Sequence, residues 1–453
     1  MQTKKDHVHA YQTLVGRMSA ALLLGDTNYS EAPARRALSG LVFGLVVALL
    51  VGVGFWVYGL ISPGGSTAWK KPNAILVEKE SGTRFVYNDG TLFPVANHAS
   101  AMLLKGSGAT VETISRASLS GLRRGAPIGI PNAPDPVPPA NSLVTTPWLL
   151  CLPQTAGIGG AGEMSLNADP GATSTALGED EYLWVEDGSG RQYFVWSGRK
   201  LPLASALVPI ALGAGAGTPP TAPAAWLSSL PDGPEIGPAP VQSSGTAQIA
   251  GQARQVGTVF RQTAGNGTES FVVLRSDGLA PLSRTEAVLL TVAKGKTAVD
   301  LDVAAMTAAP RSADTSLTKR IPDLVTAKSV AAGDRAFCLR QESRGTVFSS
   351  VPVTTEREFA GAGMNARTGA YLGPGSGLLV ASSPLQTGTG AKPDRFLITD
   401  RGFKYRLADD EAVSALGFGG AAVRPMAAEV LAQIPSGPVL SRSAAAVVER
   451  GRG

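Results

Sequence analysis

From Leu38 to Ile61 the chain reads LSGLVFGLVVALLVGVGFWVYGLI, 24 residues without a charge. At 1.5 Å per residue a helix of this run reaches roughly 36 Å, enough to cross the hydrocarbon core of a bilayer with some tilt. A cleaved export signal has a shorter apolar stretch closed by small residues. This one is too long and starts after 37 residues, so it is expected to stay as a transmembrane helix. Phe55, Trp56 and Tyr58 gather at its C-terminal end, where aromatic rings favour the headgroup layer.

Orientation follows from the flanking cations. Arg35 and Arg36 directly precede the apolar run, whereas Lys70 and Lys71 come about ten residues after it, which puts the N-terminus inside the cell and everything after residue 61 outside. Both cysteines, Cys151 and Cys338, then lie in the exported part, and an even count in an oxidising compartment favours a disulfide over two buried free thiols. Closing a loop of 187 residues would stabilise the fold by at most about 5 kcal/mol through chain entropy.

The formal charge is +5, but beyond residue 61 the balance is 35 basic against 32 acidic groups. The basic residues are scattered and nowhere interleave with aromatics, so the pattern is not that of a nucleic-acid binder. On the inner side, residues 1–37 form a short arm. Val8, Tyr11, Leu14, Val15, Met18 and Leu22 recur at spacings of three and four and predict an amphipathic helix over Asp6 to Leu24, ended by Gly25. A helix this short is marginal alone, so Tyr11, Leu14, Val15, Met18 and Leu22 are candidate partner-binding residues. The membrane surface is the other candidate, but Lys4, Lys5 and Arg17 make a thin interfacial anchor.

Glycine and proline make up about 19% of the chain, above the usual share, which points to short strands and many turns. Four stretches repeat one pattern: a strand, a turn with glycine, a second strand, then a helical segment. They are RFVYNDGTLFPVANHASAMLL from Arg84, RQYFVWSGRKLPLASALVPIAL from Arg191, ESFVVLRSDGLAPLSRTEAVLL from Glu269 and RFLITDRGFKYRLADDEAVSAL from Arg395. Gly90, Gly198, Gly278 and Gly402 fit hairpin turns that need positive φ. In the third copy Ser283 and Glu286 have the spacing of a capping box.

Three copies carry a similar tail, RRGAPIGIPNAPDP, LPDGPEIGPAP and IPSGPVLSRSA; the third copy has no clean version. The glycines are unevenly spaced, which excludes a solenoid of fixed period. The expected fold is therefore one transmembrane helix plus a β-rich α+β exported region, with a central core bearing four repeated strand-turn-strand-helix lobes. The expected divisions are the arm 1–37, the transmembrane helix 38–61, and a linker with lobe 1 at 62–146. Core segments at 147–181, 246–264 and 331–390 alternate with lobe 2 at 182–245, lobe 3 at 265–330, and lobe 4 with the tail at 391–453. Trp148 to Leu152, Val256 to Phe260 and Phe337 to Leu339 are the expected core strands. Segments rich in Gly, Pro, Ala and Ser read as surface loops: Asn132 to Pro147, Thr155 to Gly178, Gly213 to Ala224, Pro234 to Gly245 and Gly361 to Gly377.

Catalytic motifs are incomplete. Gly295, Lys296 and Thr297 end LTVAKGKT like a phosphate-binding loop, but Leu290 stands where the first glycine belongs. They are the weak nucleotide candidates. Gly157, Gly159 and Gly162 match a dinucleotide fingerprint without a helix to follow, and read as a loop. His98 is the only histidine beyond the membrane segment, and no G-x-S-x-G elbow occurs. Glu179, Asp180 and Glu181 read as a solvated turn. No catalytic residue, cofactor or metal is assigned.

DHVHAYQTLVGRMSAALLLGD, TRFVYNDGTLFPVANHASAMLL, PIGIPNAPD, WLLC at Trp148, FLITDRGFKYRLAD, LGFGGAAVRP and IPSGPVLSRSAA, in this order, make the chain similar to the EccB subunits of actinobacterial type VII (ESX) secretion systems. The resemblance spans nearly the whole chain. It implies a membrane-anchored, oligomeric scaffold assembling with EccC, EccD, EccE and the mycosin protease, and an exported core with a disulfide carrying four repeat domains. Members have also been described as ATP-hydrolysing, which leaves an exported ATPase as the alternative to a structural subunit.

Overall fold

The structure is a computed structural model that describes residues 4–25, 34–61, 67–152, 164–215, 217–242, 244–331, 333–344, 347–360, 369–383 and 393–448. Two helices come first. α1 spans Lys4–Leu24 and stops at Gly25, whose φ of 68° a glycine adopts without strain. α2 spans Ala34–Ile61, and its stretch Ala37–Tyr58 is long and apolar enough to cross a membrane. Leu41, Phe43, Leu45, Leu49 and Phe55 point outward on all sides of it. Such a helix has no hydrophilic face to offer water, and suits lipid.

Beyond α2 the chain is built from short strands. β1 (Ala74–Glu78), β2 (Arg84–Asn88) and β3 (Thr91–Val95) run antiparallel, α3 (His98–Lys105) follows, and β4 (Thr110–Ile114) returns parallel to β1. The β2–β3 turn holds Asp89 and Gly90 at φ of 46° and 77°, both positive as a two-residue hairpin turn with the twist of its strands requires. Asn97 starts α3 by accepting the Ser100 backbone N–H.

This unit recurs. After a core strand β5 (Trp148–Cys151) come β6 (Glu181–Glu186), β7 (Gln192–Trp196) and β8 (Arg199–Pro202), then β9 (Val259–Thr263), β10 (Glu269–Arg275), β11 (Gly278–Leu282) and β12 (Val299–Asp300). β13 (Lys328–Ser329) pairs parallel with β6. Next are two core strands, β14 (Arg335–Arg344) and β15 (Val347–Glu356), and then β16 (Gly377–Ser383), β17 (Arg395–Thr399), β18 (Lys404–Leu407) and β19 (Arg424–Ala427). Four sheets thus share one order, with the parallel strand outside the first of three antiparallel ones: β4-β1-β2-β3, β13-β6-β7-β8, β12-β9-β10-β11 and β19-β16-β17-β18.

The repeated tails lie beside the third strand of their units. Arg123 pairs with Thr91, Asp232 with Lys200 and Ser436 with Lys404. Their glycines are required by closeness. A Cβ on Gly125 would lie 2.4 Å from the Phe93 ring, one on Gly233 2.2 Å from Leu201 Cδ2, and one on Gly437 2.2 Å from Tyr405 Cε1. The third unit inverts the arrangement, which is why it lacks the tail motif: there the glycine is Gly278 on the strand, pressed against the Pro310 carbonyl.

Several divisions differ from the expected ones. Because β13 belongs to the second sheet, the third unit is inserted within the second, and residues 328–329 leave the expected lobe 3. The expected core segment 246–264 is instead a hairpin, Thr246–Ile249 with Gln252–Gln255, followed by β9 of the third sheet. Similarly, β16 opens the fourth sheet although it falls within the expected core segment 331–390. For β13 and β16 the parallel partner is a segment far along the chain that a local pattern does not carry, whereas the hairpin at 246–255 closes on itself.

The core itself is a six-stranded sheet in which β5 pairs with β14 and β14 with β15. Segments expected as loops complete it: Ser165–Asn167 pairs with β5, Thr175–Ala176 with β15, and Ala370–Tyr371 with Ser165–Asn167. Cys151 and Cys338 face each other across β5 and β14, with Cα atoms 4.0 Å apart, and form a fully buried disulfide.

Apolar packing joins the units in pairs. Ala99 and Leu103 of α3 share one cluster with Leu379, Leu397, Tyr405 and Phe418 of the fourth unit. Val137 and Leu143, from the expected loop Asn132 to Pro147, fill the space between. Leu289 of the third unit packs among Tyr182, Phe194 and Leu201 of the second. The central sheet carries Trp148, Leu150 and Leu339 into a third cluster with Val185, Trp226, Leu378 and Ile398.

Candidate functional site

The arm is the first candidate surface. On α1, Tyr11, Leu14, Met18 and Leu22 are 72%, 60%, 59% and 84% exposed, with Val15 at 46%. With Val8 and Leu23, seven large apolar side chains on this helix therefore face water unless something covers them. The sequence reading named all of them but Leu23.

The Gly295–Thr297 segment is the second candidate, and its geometry is not that of a phosphate loop. A helix Arg284–Ala293 leads into it and ends there. Gly295 donates its N–H to the Val292 carbonyl and Lys296 to that of Thr291, at 3.0 Å each, so these amides cap the helix C-terminus. A phosphate loop needs the opposite end, where free N–H groups and the positive pole of the dipole meet the anion. Leu290 is buried on the same helix. The neighbouring cleft of about 300 Å³ is lined by Gly257, Thr258, Leu290, Lys294, Lys296 and Thr297. Lys294 spends one proton on the Gly257 carbonyl at 2.7 Å, and burial first, then repulsion from Lys296, pulls its pKa below the usual lysine value.

His98 opens α3, and burial, helped by the Arg84 charge, lowers its pKa. Arg84 forms an ion pair with Asp135 at 2.9 Å in the same neighbourhood. Among the described residues, no group of three or more His, Cys, Asp or Glu could hold a metal. Of the acidic turn, Glu181 accepts the Gly178 N–H at 2.8 Å and the Asp180 carbonyl accepts that of Lys328 at 2.7 Å. Gly157, Gly159 and Gly162 lie outside the described residues.

Three residues that sequence reasoning missed hold the units together. Trp226, fully buried, donates its indole N–H to the Leu150 carbonyl of β5 at 2.9 Å. Arg320 ties buried Glu286 of the third unit to the Gly237 carbonyl of the second tail. The expected capping box is thereby only half made: Ser283 accepts the Glu286 N–H at 3.2 Å, but the Glu286 carboxylate turns to Arg320. Arg424 lies over the Trp148 ring, 5.6 Å from its centre, and bonds the Thr145 carbonyl. Trp226 stands in a charge-free Ala/Pro run and offered no periodic signal.

With this arrangement in view, similarity decides the family. The family model described as "Type VII secretion system ESX-1, transport TM domain B" matches residues 1–451. The chain belongs to the EccB family. This EccB chain is 26% identical over 479 residues to the ESX-3 secretion system ATPase EccB3 of Mycolicibacterium smegmatis, covering 98% of this chain and 90% of that one. It is 25% identical over 477 residues to the ESX-1 secretion system ATPase EccB1 of Mycobacterium tuberculosis, covering 98% and 94%. A solved structure described as an intact ESX-5 inner membrane complex holds a chain matched at TM-score 0.61 and 22% identity, over 100% of this chain and 96% of that one. Another, of an EccB3 dimer from the ESX-3 core complex, matches at TM-score 0.60 and 23% identity, over 83% and 100%. These structures share the EccB fold. α2 is the one helix among the described residues that answers to the family's transmembrane domain.

Proposed function

We propose that this EccB chain is a structural, membrane-anchored subunit of a type VII (ESX) secretion complex that scaffolds its extracytoplasmic side. The N-terminus is cytoplasmic, α2 spans the cell membrane once, and residues after 61 lie outside. The apolar face of α1 docks on a cytoplasmic neighbour, EccC or EccD. EccE, the mycosin protease and further copies of the chain are the other expected partners. Each of the four like-ordered sheets, with its helix and tail, acts as one lobe on the disulfide-tied core.

The exposed α1 face carries this reading. Each large apolar side chain taken fully from water stabilises by about 1.5–3 kcal/mol, enough together to offset the ordering of a short helix. Leu14→Asp with Met18→Asp sets two charges into that face and touches neither α2 nor the exterior. The variant should insert and form its disulfide, but lose co-purification with the cytoplasmic subunits and stop secretion. Unchanged assembly and secretion would reduce the arm to a solvated tether.

Catalysis is the second reading, because the curated relatives carry ATPase in their names. The helix C-terminus at Gly295–Thr297 disfavours an anion there, which supports the structural role for this chain.

A further inference from the structure

In each unit the second antiparallel strand begins near the point where the following helix starts, and in the first and fourth units an ion pair closes that corner. There the strands open with Arg84 and Arg395 and the helices with His98 and Asp410. Arg395 pairs with Asp410 directly, and Arg84 is taken by Asp135 of its own tail at 2.9 Å. In the third unit the same two positions are Glu269 and Arg284, and Glu269 turns instead to Arg261 of β9 at 3.4 Å. The corner is left as a cleft of about 530 Å³, within the ~300–1,000 Å³ typical of small-ligand sites.

Three donors on its wall have no use inside the protein. The guanidinium groups of Arg284 and Arg311 have no carboxylate, carbonyl or ring partner among the described residues. Gln262 accepts the Ser270 hydroxyl at 3.0 Å through its oxygen and keeps its amide nitrogen free. Glu269 is the one carboxylate on the wall, and Arg261, which also holds Asp300 at 2.8 Å, neutralises it. The cleft therefore carries positive charge that nothing in the chain answers. Beside it lies an apolar floor of half-buried Phe271, Pro281 and Met306. Val303, one helical turn before Met306, extends that floor and is 59% exposed.

We propose that this cleft binds the carboxylate end of a peptide whose last side chain is apolar. The carboxylate lies between Arg284 and Arg311, and the last side chain lies on Phe271, Pro281 and Met306. Arginine presents its N–H groups as a planar fork that matches a carboxylate two bonds at a time. The free Gln262 amide N–H and the lone pairs of the Ser270 hydroxyl supply one donor and one acceptor, which is what a peptide group needs. A bare anion such as phosphate fits less well, because the apolar floor offers nothing in exchange for its water.

The test uses the full chain in mild detergent and the peptide N-acetyl-Ala-Leu, as free acid and as C-terminal amide, with inorganic phosphate as the bare anion. Isothermal titration should show the acid binding about tenfold or more tighter than either the amide or phosphate. Arg284→Gln and Arg311→Gln should each weaken the acid about tenfold. Both variants should melt like the parent chain, because neither guanidinium bonds the protein. Val303→Asp, at an exposed position, adds a carboxylate to the wall and should weaken the acid while leaving the amide unchanged. Equal binding of acid and amide, or no measurable binding of the acid, would overturn the proposal. So would acid binding untouched by Arg284→Gln and Arg311→Gln. Phosphate bound as tightly as the acid would make the cleft a general anion patch and overturn it too.

Discussion

The tail glycines make a quantitative prediction, because the same substitution meets three different neighbours. Alanine at Gly437 would put its Cβ 2.2 Å from Tyr405 Cε1, and at Gly125 2.4 Å from Phe93 Cε1. Tyr405 is only 5% exposed and packs in the cluster joining the first and fourth units, so its ring has nowhere to go. Phe93 is half-buried and can swing outward. Overpacking a fixed site costs about 1–3 kcal/mol, whereas reducing the unfolded chain's freedom returns about 0.4–1 kcal/mol for Gly→Ala. The net for Gly437→Ala is a loss of about 1–2 kcal/mol; Gly125→Ala should be close to neutral. Gly233→Ala should resemble Gly437→Ala, since Leu201 is 1% exposed. Gly420, with open space around it, is the control. Differential scanning fluorimetry of the full chain in detergent should show melting about 2–6 °C lower for Gly437→Ala and Gly233→Ala. If Gly125→Ala proved as costly as Gly437→Ala, or Gly437→Ala melted like wild type, the close packing of tail on strand would not be what selects glycine.

Further outcomes follow from the buried groups. Both cysteines should resist alkylation in unreduced, denatured protein, and Cys151→Ala with Cys338→Ala should lower stability by about 2–5 kcal/mol, read from urea midpoints. Lys296→Ala should leave any measured ATP turnover of the purified chain unchanged, because the segment caps a helix C-terminus; a specific loss would revive the enzyme reading. Trp226→Phe removes the bond to the Leu150 carbonyl and should destabilise by about 1–3 kcal/mol without changing secondary structure by circular dichroism. His98 has a pKa depressed by burial, so the unfolded chain binds its proton more readily. Stability should hold above the unfolded pKa of about 6.5 and fall as acid approaches the lower folded value. His98→Gln should flatten that decline in melting curves taken between pH 7 and 5.

What could be read from the sequence was whatever is encoded locally. The apolar run gives α2, and the 3.6-residue spacing from Val8 to Leu22 gives α1. Strand, turn and helix stand together in each repeat, with the glycine in the turn of three and opening the strand at Gly278 in the third, and both cysteines fell in the segments expected to pair. The parallel strands were invisible, since Val299–Asp300 and Lys328–Ser329 are two-residue pieces defined only by distant partners. For the same reason Val256 to Phe260 was expected in the core: its apolar character says that it is buried, not against which sheet. At the candidate nucleotide site Leu290 already argued against a phosphate loop. The direction of the helix at Gly295 needed the fold.

The nesting of the chain also sets a timetable. The third unit interrupts the second, and the disulfide waits from residue 151 until residue 338 has emerged. Much later in the chain, the Gly129 N–H bonds the Val447 carbonyl and Ile128 bridges to Val448, so closing the first unit waits for residues 447 and 448. A chain whose residues become available in sequence order therefore cannot mature piece by piece. Its second unit stays open until residues 328 and 329 have been delivered, its core until residue 338, and the join between its first and fourth units until residues 447 and 448. Removing residues 442–448 would take Ala445 from the cluster that holds Ala99 and Leu103 and open both backbone links to the first unit.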